Sequence, residues 1–283
     1  MLKVHVFQSG EAGIFANAYL VETSAHLVAV DSTLLESTSK ALRLQAVKLG
    51  KPLKAVLLTH GHPDHYNGVT NLIGAAKVDV IATEGVDRVI RKDDAAKQEQ
   101  WSGVFGAEWP GKRTFPNKIL DNGEGINVDD VSFTVYDLGP GESHSDSYWL
   151  VERDGRKVAF IGDVVLNRVH AFLTDGHSTQ WLKNLERLTV ELQDVETIYP
   201  GHGDAGRLEM LTWQTNYLQE YRRTVASLAN GDSRLTDEQK EKLTAHMDNY
   251  LQGKSLEFLI GLGADSVAAE MASKNKAASG LGS

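Results

Sequence analysis

One short stretch, residues 57–68 (LLTHGHPDHYNG), limits what this chain can fold into and do more than any other. Three of the ten histidines in the chain, together with an aspartate, fall within six positions here. The apolar run before them is typical of a buried strand, and the proline after the second histidine suits the start of a helix. His60 and His62 therefore lie where a strand passes into a loop, and Asp64 and His65 lie in the first turn of a helix.

This spacing predicts metal binding. Residues two apart in extended backbone point the same way, so the imidazoles of His60 and His62 can address one point in space, as a metal ion requires. Asp64 and His65 aim to a different side, which indicates two neighbouring metal positions. A lone histidine usually packs in a core, and Asp64 alone could stabilise a helix N-terminus. Packing does not explain the whole H-x-H-x-D-H pattern, which indicates a metal site.

Four side chains cannot fill two metal positions, so further ligands must come from elsewhere in the chain. Three candidates lie beside strand-like runs: His144 in GPGESHSDSYW, Asp163 at the end of VAFIGD, and His202 in TIYPGHGD. The glycines that flank His202 would let the backbone approach a ligand closely.

Strand-like and helix-like segments alternate up to about residue 206. Apolar runs predict strands at residues 3–7, 18–22, 27–31, 53–59, 78–82, 131–137, 148–152, 157–162 and 197–199. Helical periodicity follows residues 34–49, 67–76, 84–97, 180–192, 208–229, 237–251 and 255–271. Two segments, 19–31 and 148–163, both read as hairpins that end in aspartate. The pattern predicts an α/β catalytic core, residues 1–206, and a helical C-terminal extension, residues 207–283, packed on it, with about the last ten residues mobile.

With these motifs in this order, the chain resembles the metallo-β-lactamase-fold superfamily of metallohydrolases over roughly residues 3–206. The resemblance implies a four-layer αβ/βα sandwich with the site at one edge, which would account for the two similar hairpins. It also implies a first metal ion held by His60, His62 and His144, a second held by Asp64, His65 and His202, and Asp163 as a bridge between them. Asp31 matches a strand-end aspartate that is structural in such folds.

Two divalent ions about 3.5–4 Å apart would bind a bridging water and lower its pKa from 15.7 toward about 7. The resulting hydroxide needs no Ser or Cys nucleophile, and Asp64 could orient it or move its proton. Two dications, the carboxylates of Asp64 and Asp163 and one hydroxide sum to a charge of about +1. Imidazole and carboxylate ligands favour zinc, and Mn²⁺, Fe²⁺ or Co²⁺ could occupy the same residues.

The segments GPGESHSDSYW and YPGHG are also similar to those of subclass B1 β-lactamases, with three departures. Asp163 stands where that subclass has cysteine, and His65 completes a motif that it lacks. Leu166 stands where a lysine usually binds the lactam carboxylate, and Arg168 is the nearest substitute. The ligand set is more similar to that of glyoxalase II-type thioesterases and quorum-quenching lactonases. We therefore expect a dinuclear hydrolase of an ester, lactone or thioester, with β-lactam hydrolysis as a weak or secondary activity.

Other classes stay open at this point. Flavodiiron proteins and persulfide dioxygenases use iron in the same fold for oxidation, so an iron-dependent oxidoreductase is one alternative. The residues after 206 leave no room for the flavodoxin domain that flavodiiron proteins usually carry. A binding or signalling protein that had lost catalysis is the other alternative, although the ligands are intact. A nuclease is disfavoured because the net charge is −9 and no basic patch is seen.

Two segments predict contacts with a substrate. The aromatic segment 101–115 lacks periodicity, and it reads either as a surface loop held by its aromatic side chains or as a flap over the pocket. The loop after Asp163 borders the pocket in folds of this kind. The candidates are Trp101, Phe105, Trp109, Asn167, His170 and His177.

The expected partners and location follow from features that the sequence lacks. No segment approaches the roughly 20 apolar residues of a membrane span, and the N-terminal residues lack the features of a secretory signal. We therefore expect a small-molecule substrate, no nucleic-acid or membrane partner, and a cytoplasmic location. The helical extension could cover the core, form a wall over the pocket or provide a homodimer surface, and the sequence leaves these three open.

Overall fold

The computed structural model describes residues 2–252 and 255–280, with side chains up to residue 273. The first half of the chain contains β1 (Lys3–Gln8), β2 (Asn17–Glu22), β3 (Leu27–Val30), α1 (Glu36–Lys48), β4 (Leu53–Leu57), α2 (Pro63–Tyr66), α3 (Val69–Ile73), β5 (Asp79–Ala82), α4 (Glu84–Phe105) and β6 (Lys118–Ile119). The second half contains β7 (Gly125–Val128), β8 (Val131–Gly139), β9 (Asp146–Arg153), β10 (Arg156–Gly162), α5 (Ser178–Glu191), β11 (Thr197–Pro200), α6 (Glu209–Ala229), α7 (Asp237–Leu251) and α8 (Phe258–Gly280).

The strands form two sheets with related topology. The first sheet has six strands in the order β1-β2-β3-β4-β5-β6, and the second has five in the order β11-β10-β9-β8-β7. In each sheet an antiparallel hairpin is followed by a parallel neighbour: β2 and β3 with β4, and β9 and β10 with β11. The two hairpins are the pair of similar segments seen in the sequence.

The two sheets stack face to face, and helices cover both outer faces. Successive side chains of a strand point to opposite faces, so Val28 and Val30 face the second sheet while Leu27 and Ala29 face the helices. Trp149 and Phe160 complete the layer between the sheets. The outer face of the first sheet packs on α1, α3 and α4, and that of the second on α5 to α8. The four-layer αβ/βα sandwich with a helical C-terminal region is confirmed.

The C-terminal helices share one apolar cluster with the second sheet. Leu218 of α6, Leu243 of α7 and Ile260 of α8 are buried in the same cluster as Leu185 of α5. The division of the chain at residue 206 stays a prediction. Of the tail expected to be mobile, α8 is described to Gly280 and residues 281–283 lie outside the described part. No helix within the described ranges is long and apolar enough to cross a membrane.

Several element boundaries differ from the predicted ones, and for two of the differences the structure shows a physical cause. Helix α4 continues past the predicted end at residue 97 to Phe105, because Trp101 and Phe105, one turn apart, pack together and Phe105 stacks on Trp109. The helix predicted at residues 67–76 is shorter in the structure, where α3 spans Val69–Ile73 and begins after Gly68. A Cβ atom on Gly68 would lie 2.4 Å from the Cβ of Ser39. Glycine permits this close contact between α1 and the start of α3.

Candidate metal centre

The predicted ligands lie at one edge of the sandwich, where strands of both sheets end. His60 and His62 follow β4, Asp163 follows β10, and His202 follows β11. Backbone contacts join the two sheets at this edge, since His60 pairs with Asp146 in an antiparallel bridge. Groups distant in the sequence therefore meet because their strands end at the same place.

The first group of potential ligands consists of His60, His62, Glu142 and Asp163, all buried. The Nδ1 atom of His62 lies 3.1 Å from Oε2 of Glu142. The Nε2 atom of His60 lies 3.7 Å from the same oxygen and 4.0 Å from Oδ2 of Asp163. Two imidazoles and two carboxylates thus face a common centre.

The second group consists of Asp64, His65, Asp163 and His202, also all buried. Nε2 of His65 lies 3.3 Å from Oδ2 of Asp64 and 3.3 Å from Oδ1 of Asp163. Nε2 of His202 lies 3.2 Å from Oδ2 of Asp64 and 3.3 Å from Oδ2 of Asp163. The ligands of a tetrahedral ion at 2.0–2.1 Å are about 3.3–3.4 Å apart, so these separations fit one metal ion. Asp163 belongs to both groups, as expected of a bridge.

Glycines bring the backbone close to the carboxylate of Asp163, the residue that the two groups share. A Cβ atom on Gly201 would lie 1.7 Å from Oδ1 of Asp163. Gly162 has a φ of +55°, a left-handed conformation that favours glycine, and a Cβ atom there would lie 2.6 Å from Oγ1 of Thr59. The first glycine of PGHG therefore leaves space for the Asp163 carboxylate beside the backbone at the end of β11.

Neighbouring side chains fix the orientation of the histidine rings. Nδ1 of His65 lies 2.9 Å from Oδ2 of Asp31, which also accepts from Thr59 Oγ1 at 2.7 Å. Nε2 of His62 lies 3.3 Å from Oδ2 of Asp175. A carboxylate that accepts the N–H of one ring nitrogen leaves the other nitrogen with a lone pair toward the metal. Asp31 and Asp175 are placed to do this for the two groups, which agrees with the structural role expected for Asp31.

Several buried polar atoms in both groups have no hydrogen-bond partner within the described part of the chain, which is unusual in a folded protein. They include Nε2 of His60, Nε2 of His65, Oδ1 of Asp163 and both oxygens of Glu142. One divalent cation in each group would satisfy them, because each atom is a lone-pair donor of a type that zinc and similar ions accept. The residues present therefore fit two metal ions.

Opposite charges that face each other lower the pKa of the aspartates and raise the pKa of a histidine. Burial would raise the pKa of Asp64 and of Asp163, but the adjacent imidazoles lower both pKa values well below the usual range. Burial would lower the pKa of His202, but Asp163 and Asp64 raise it to about 10. In His60, burial prevails and the pKa is lowered. Without a metal ion, the carboxylates are thus balanced by imidazolium, a positive charge that a cation can replace.

The structure does not bring His144 into the first group, and Glu142 lies there instead. The His144 side chain is 40% exposed; its Nδ1 lies 2.8 Å from Nε2 of His177, and its Nε2 lies 3.9 Å from Asp175. The cause is the loop between β8 and β9, where the buried Asp146 accepts hydrogen bonds from the backbone N–H groups of Glu142 (2.7 Å) and Ser143 (3.2 Å). This turn directs Glu142 inward and His144 outward, so the structure does not place His144 within the first group, and its role as a ligand stays a prediction.

A cavity of about 210 Å³ opens onto both groups. Its walls are mostly apolar, and they include three of the predicted substrate-contacting residues on α4 and the following turn: Trp101, Phe105 and Trp109. The first turns of α8 and the segment before it add Leu256, Phe258, Leu259 and Leu262. The C-terminal extension therefore forms part of the wall, which was one of its three interpretations.

The other predicted substrate-contacting residues differ in their placement. His170 lines the cavity but is fully buried, with Nδ1 2.9 Å from the Tyr217 hydroxyl and Nε2 3.2 Å from Asp248. Asn167 donates to the backbone oxygen of Asp204, and His177 contacts His144 outside the cavity. Neither lines the cavity within the described part of the chain, so a substrate contact is not supported for them.

Sequence reasoning missed three residues of this site: Glu142, Asp175 and Lys97. Glu142 could have been found from its place after PG in GPGES, since that loop was already a candidate segment. Lys97 is the one lysine or arginine among the described residues of the cavity wall, and its Nζ lies 5.6 Å from the centre of the Phe172 ring. Arg168, the expected substitute for a lysine, is exposed and lies outside the wall.

Comparisons with known proteins indicate the family of this chain. A sequence profile of the metallo-beta-lactamase superfamily matches residues 12–202. The hydroxyacylglutathione hydrolase of Albidiferax ferrireducens is 24% identical over 186 residues, which are 65% of this chain and 60% of that protein. The metallo-beta-lactamase type 2 of Bacillus cereus is 23% identical over 202 residues, 70% of each chain. This chain thus spans about 60–70% of the length of these curated relatives.

Solved structures extend the likeness in fold to the C-terminal helices. A metallo-beta-lactamase family protein from Thermus thermophilus superposes with a TM-score of 0.69 at 20% identity, covering 96% of this chain and 94% of that one. A metallo-beta-lactamase from Pontibacter korlensis gives 0.58 at 19% identity, covering 72% of this chain and 87% of that one. At these identities the likeness concerns the fold alone.

Proposed function

Because this chain belongs to the metallo-beta-lactamase superfamily, we propose that it is a dinuclear metal-dependent hydrolase that cleaves an ester, lactone or thioester bond of a small molecule. The observation that carries this proposal is the pair of buried ligand groups, joined by Asp163, at the end of an apolar cavity. A hydrolase of this kind needs both a metal-activated water and a dry site for the acyl group.

Two divalent ions held by these groups would supply an ionised water and an electrophile for the scissile carbonyl. Zinc is the metal that we propose from the imidazole and carboxylate ligands. Asp64 both belongs to the second group and lines the cavity. Its carboxylate is therefore placed to accept a proton from a water that enters the cavity, and this is the catalytic role that we propose for it.

The cavity wall indicates the kind of molecule that would bind. Trp101, Phe105 and the leucines of α8 offer apolar contact for an acyl or aryl group, each buried CH₂ being worth about 0.8 kcal/mol. Lys97 offers a positive charge for an oxygen of the substrate. Leu166 is buried in the wall, so a β-lactam carboxylate would find no cation at that position. We therefore propose esters, lactones or thioesters with an apolar acyl group ahead of β-lactams.

The proposal is tested with purified protein, metal-free and reloaded, on a panel of aryl esters, lactones, thioesters, a β-lactam and a phosphodiester. Turnover of an ester, lactone or thioester should require metal. His62→Ala should abolish turnover and reduce bound metal, because Nδ1 of His62 faces the first group. His246→Ala, at a half-exposed position on α7, is the matched control and should leave turnover and bound metal unchanged. Unchanged turnover in His62→Ala, or oxygen consumption instead of hydrolysis, would contradict the proposal.

A further inference from the structure

Glu142 is a buried carboxylate that protein groups alone do not satisfy. Its side chain is 0% exposed, and among the residues that the structure describes Oε1 has no hydrogen-bond partner, while the one group near Oε2 at hydrogen-bonding distance is the His62 ring. A buried, unpaired carboxylate is costly, and the cost is relieved either by uptake of a proton or by a compensating cation. The unpaired Nε2 of His60 lies 3.7 Å from Oε2, so two unsatisfied lone-pair donors face each other across a short gap.

An ion pair with His62 is the simpler explanation, and it accounts for only part of the arrangement. Nδ1 of His62 lies 3.1 Å from Oε2. That contact leaves Oε1 of Glu142 and Nε2 of His60 without partners. Nε2 of His62 already faces Asp175 at 3.3 Å, so the ring has a carboxylate on each side. A cation between His60, His62, Glu142 and Asp163 would satisfy every one of these atoms.

The loop is built to hold Glu142 in this place. Asp146 accepts from the backbone N–H groups of Glu142 and Ser143 and from the Ser143 hydroxyl at 2.6 Å. Gly141 approaches so closely that a Cβ atom there would lie 2.7 Å from Oδ2 of Asp146. The backbone of Glu142 is therefore fixed by a neighbour that takes no part in either group.

We propose that Glu142, and not His144, is a direct ligand of the metal ion in the first position, an inference that rests on the proposed metal centre. With Glu142, each position has two imidazoles and two carboxylates, Asp163 being counted in both. The two dications and the three carboxylates of Asp64, Glu142 and Asp163 then sum to about +1 before any solvent ligand is counted. With His144 in that place the sum would be about +2.

This change of ligand alters metal preference as well as charge. Imidazole suits zinc and iron, whereas carboxylate suits harder ions such as Mn²⁺. The first position, with one nitrogen fewer than a three-histidine site, should therefore favour Mn²⁺ over Zn²⁺ more than a three-histidine site would. Glu142→His restores the third imidazole, so it should raise the ratio of Zn²⁺ to Mn²⁺ affinity at least about tenfold relative to wild type.

The test measures metal binding, not turnover. Wild type, Glu142→Gln, His144→Ala and Asp175→Asn are titrated with Mn²⁺ and Zn²⁺ after chelation, with bound metal counted by elemental analysis. Loss of an outer partner such as Asp175 costs about 10–100-fold in metal affinity, so Glu142→Gln should cost more than Asp175→Asn and should lower the bound metal from two ions to one. His144→Ala should change the affinity by less than about threefold. Circular dichroism establishes that each variant is folded.

A readout on the wild type keeps the inference testable if Glu142→Gln does not fold. Pulsed electron paramagnetic resonance of Mn²⁺-loaded protein detects the coordinated imidazole nitrogens and should show two per ion. Three imidazoles on one ion, or loss of a metal ion in His144→Ala but not in Glu142→Gln, would overturn the assignment of Glu142. An unchanged ratio of Zn²⁺ to Mn²⁺ affinity in Glu142→His would overturn the inference that Glu142 makes the first position more favourable for Mn²⁺. If wild type binds no metal, the proposed function is wrong, and the assignment of Glu142 as a ligand is wrong with it.

Discussion

Oδ2 of Asp31 lies 2.9 Å from Nδ1 of His65, and this contact determines that Nε2 of His65 faces Asp64 and Asp163. Asp31 has a φ of +58°, a left-handed conformation that aspartate tolerates better than most residues. Its other oxygen accepts from the backbone N–H of Thr59 at 2.8 Å. One side chain thus ties the end of β3 to the end of β4 and orients a ring of the second group.

Asp31→Asn should therefore weaken metal binding without unfolding the protein. The amide keeps one acceptor oxygen but replaces the other by a donor, so either Thr59 or His65 loses its acceptor. We expect a loss of about 10–100-fold in metal affinity, measured by competition with a chelator. Asp154 also has a positive φ, of 54°, but is 80% exposed and distant from the site, so Asp154→Asn is the matched control and should show no loss. Equal affinities in the two variants would refute this role of Asp31.

The sequence predicted much of this site because strand ends are easy to recognise. His60, His62 and Asp163 each follow an apolar run, and a parallel neighbour in each sheet brings such ends to one edge. The apolar run at residues 27–31 likewise predicted a strand, and in the structure its side chains alternate between two apolar layers. Local patterns thus predict those elements and ligands whose position depends on a single strand.

Loop conformation and distant contacts set the rest of the site. Glu142 and His144 are two residues apart in one loop, and Glu142 points inward in a turn whose backbone N–H groups donate to Asp146. Asp175 is more than a hundred positions from His62, and no local pattern relates the two. The sequence did not predict that α4 continues to Phe105. The aromatic side chains of its last turns contact each other and Trp109, a residue after the helix, and they line the cavity.

Gly201→Ala should displace the Asp163 carboxylate, which belongs to both ligand groups. A Cβ atom there would lie 1.7 Å from Oδ1 of Asp163, and the atoms around it belong to backbone or to a metal ligand. We expect a loss of about 1–3 kcal/mol in the free energy of unfolding, as for other overpacked sites, together with loss of bound metal. Gly111→Ala is the control, because nothing lies within 4 Å of a Cβ atom at that position. Chemical denaturation and metal analysis measure both effects, and full metal occupancy in Gly201→Ala would contradict this prediction.

Trp101→Ala should reduce activity on substrates with long acyl groups more than on acetyl substrates. Trp101 lines the cavity, whereas Val104 on the same helix is 69% exposed and does not, which makes Val104→Ala the matched control. Loss of apolar contact worth about 1–2 kcal/mol would lower kcat/KM for an octanoyl ester about 5–30-fold relative to an acetyl ester. The measurement is the ratio of the two kcat/KM values. A ratio that is unchanged in Trp101→Ala would mean that acyl groups do not bind along α4.

Glu270 of α8 should stabilise the attachment of the C-terminal helices to the core, in a way that depends on pH. Its carboxylate accepts from the Ser178 hydroxyl at 2.5 Å and from the Thr179 N–H at 2.9 Å, at the start of α5. Burial would raise the pKa of Glu270, but these hydrogen bonds and Arg222 lower it below its ordinary value. A carboxyl whose pKa is lowered by folding stabilises the protein above its unfolded pKa of about 4.3, and the stabilisation is lost as the pH falls through the folded pKa.

Glu270→Gln should therefore lower the free energy of unfolding by about 1–3 kcal/mol at pH 7, the usual contribution of hydrogen bonds to a charged group. The difference from wild type should shrink as the pH falls below about 4. Glu238 on α7 is 76% exposed and pairs only with Lys242 one turn away among the described ion pairs, so Glu238→Gln should cost well under 1 kcal/mol at either pH. Urea denaturation at pH 7 and at acid pH measures both variants. A cost in Glu270→Gln that does not change with pH would show that its effect comes from packing and not from the carboxylate charge.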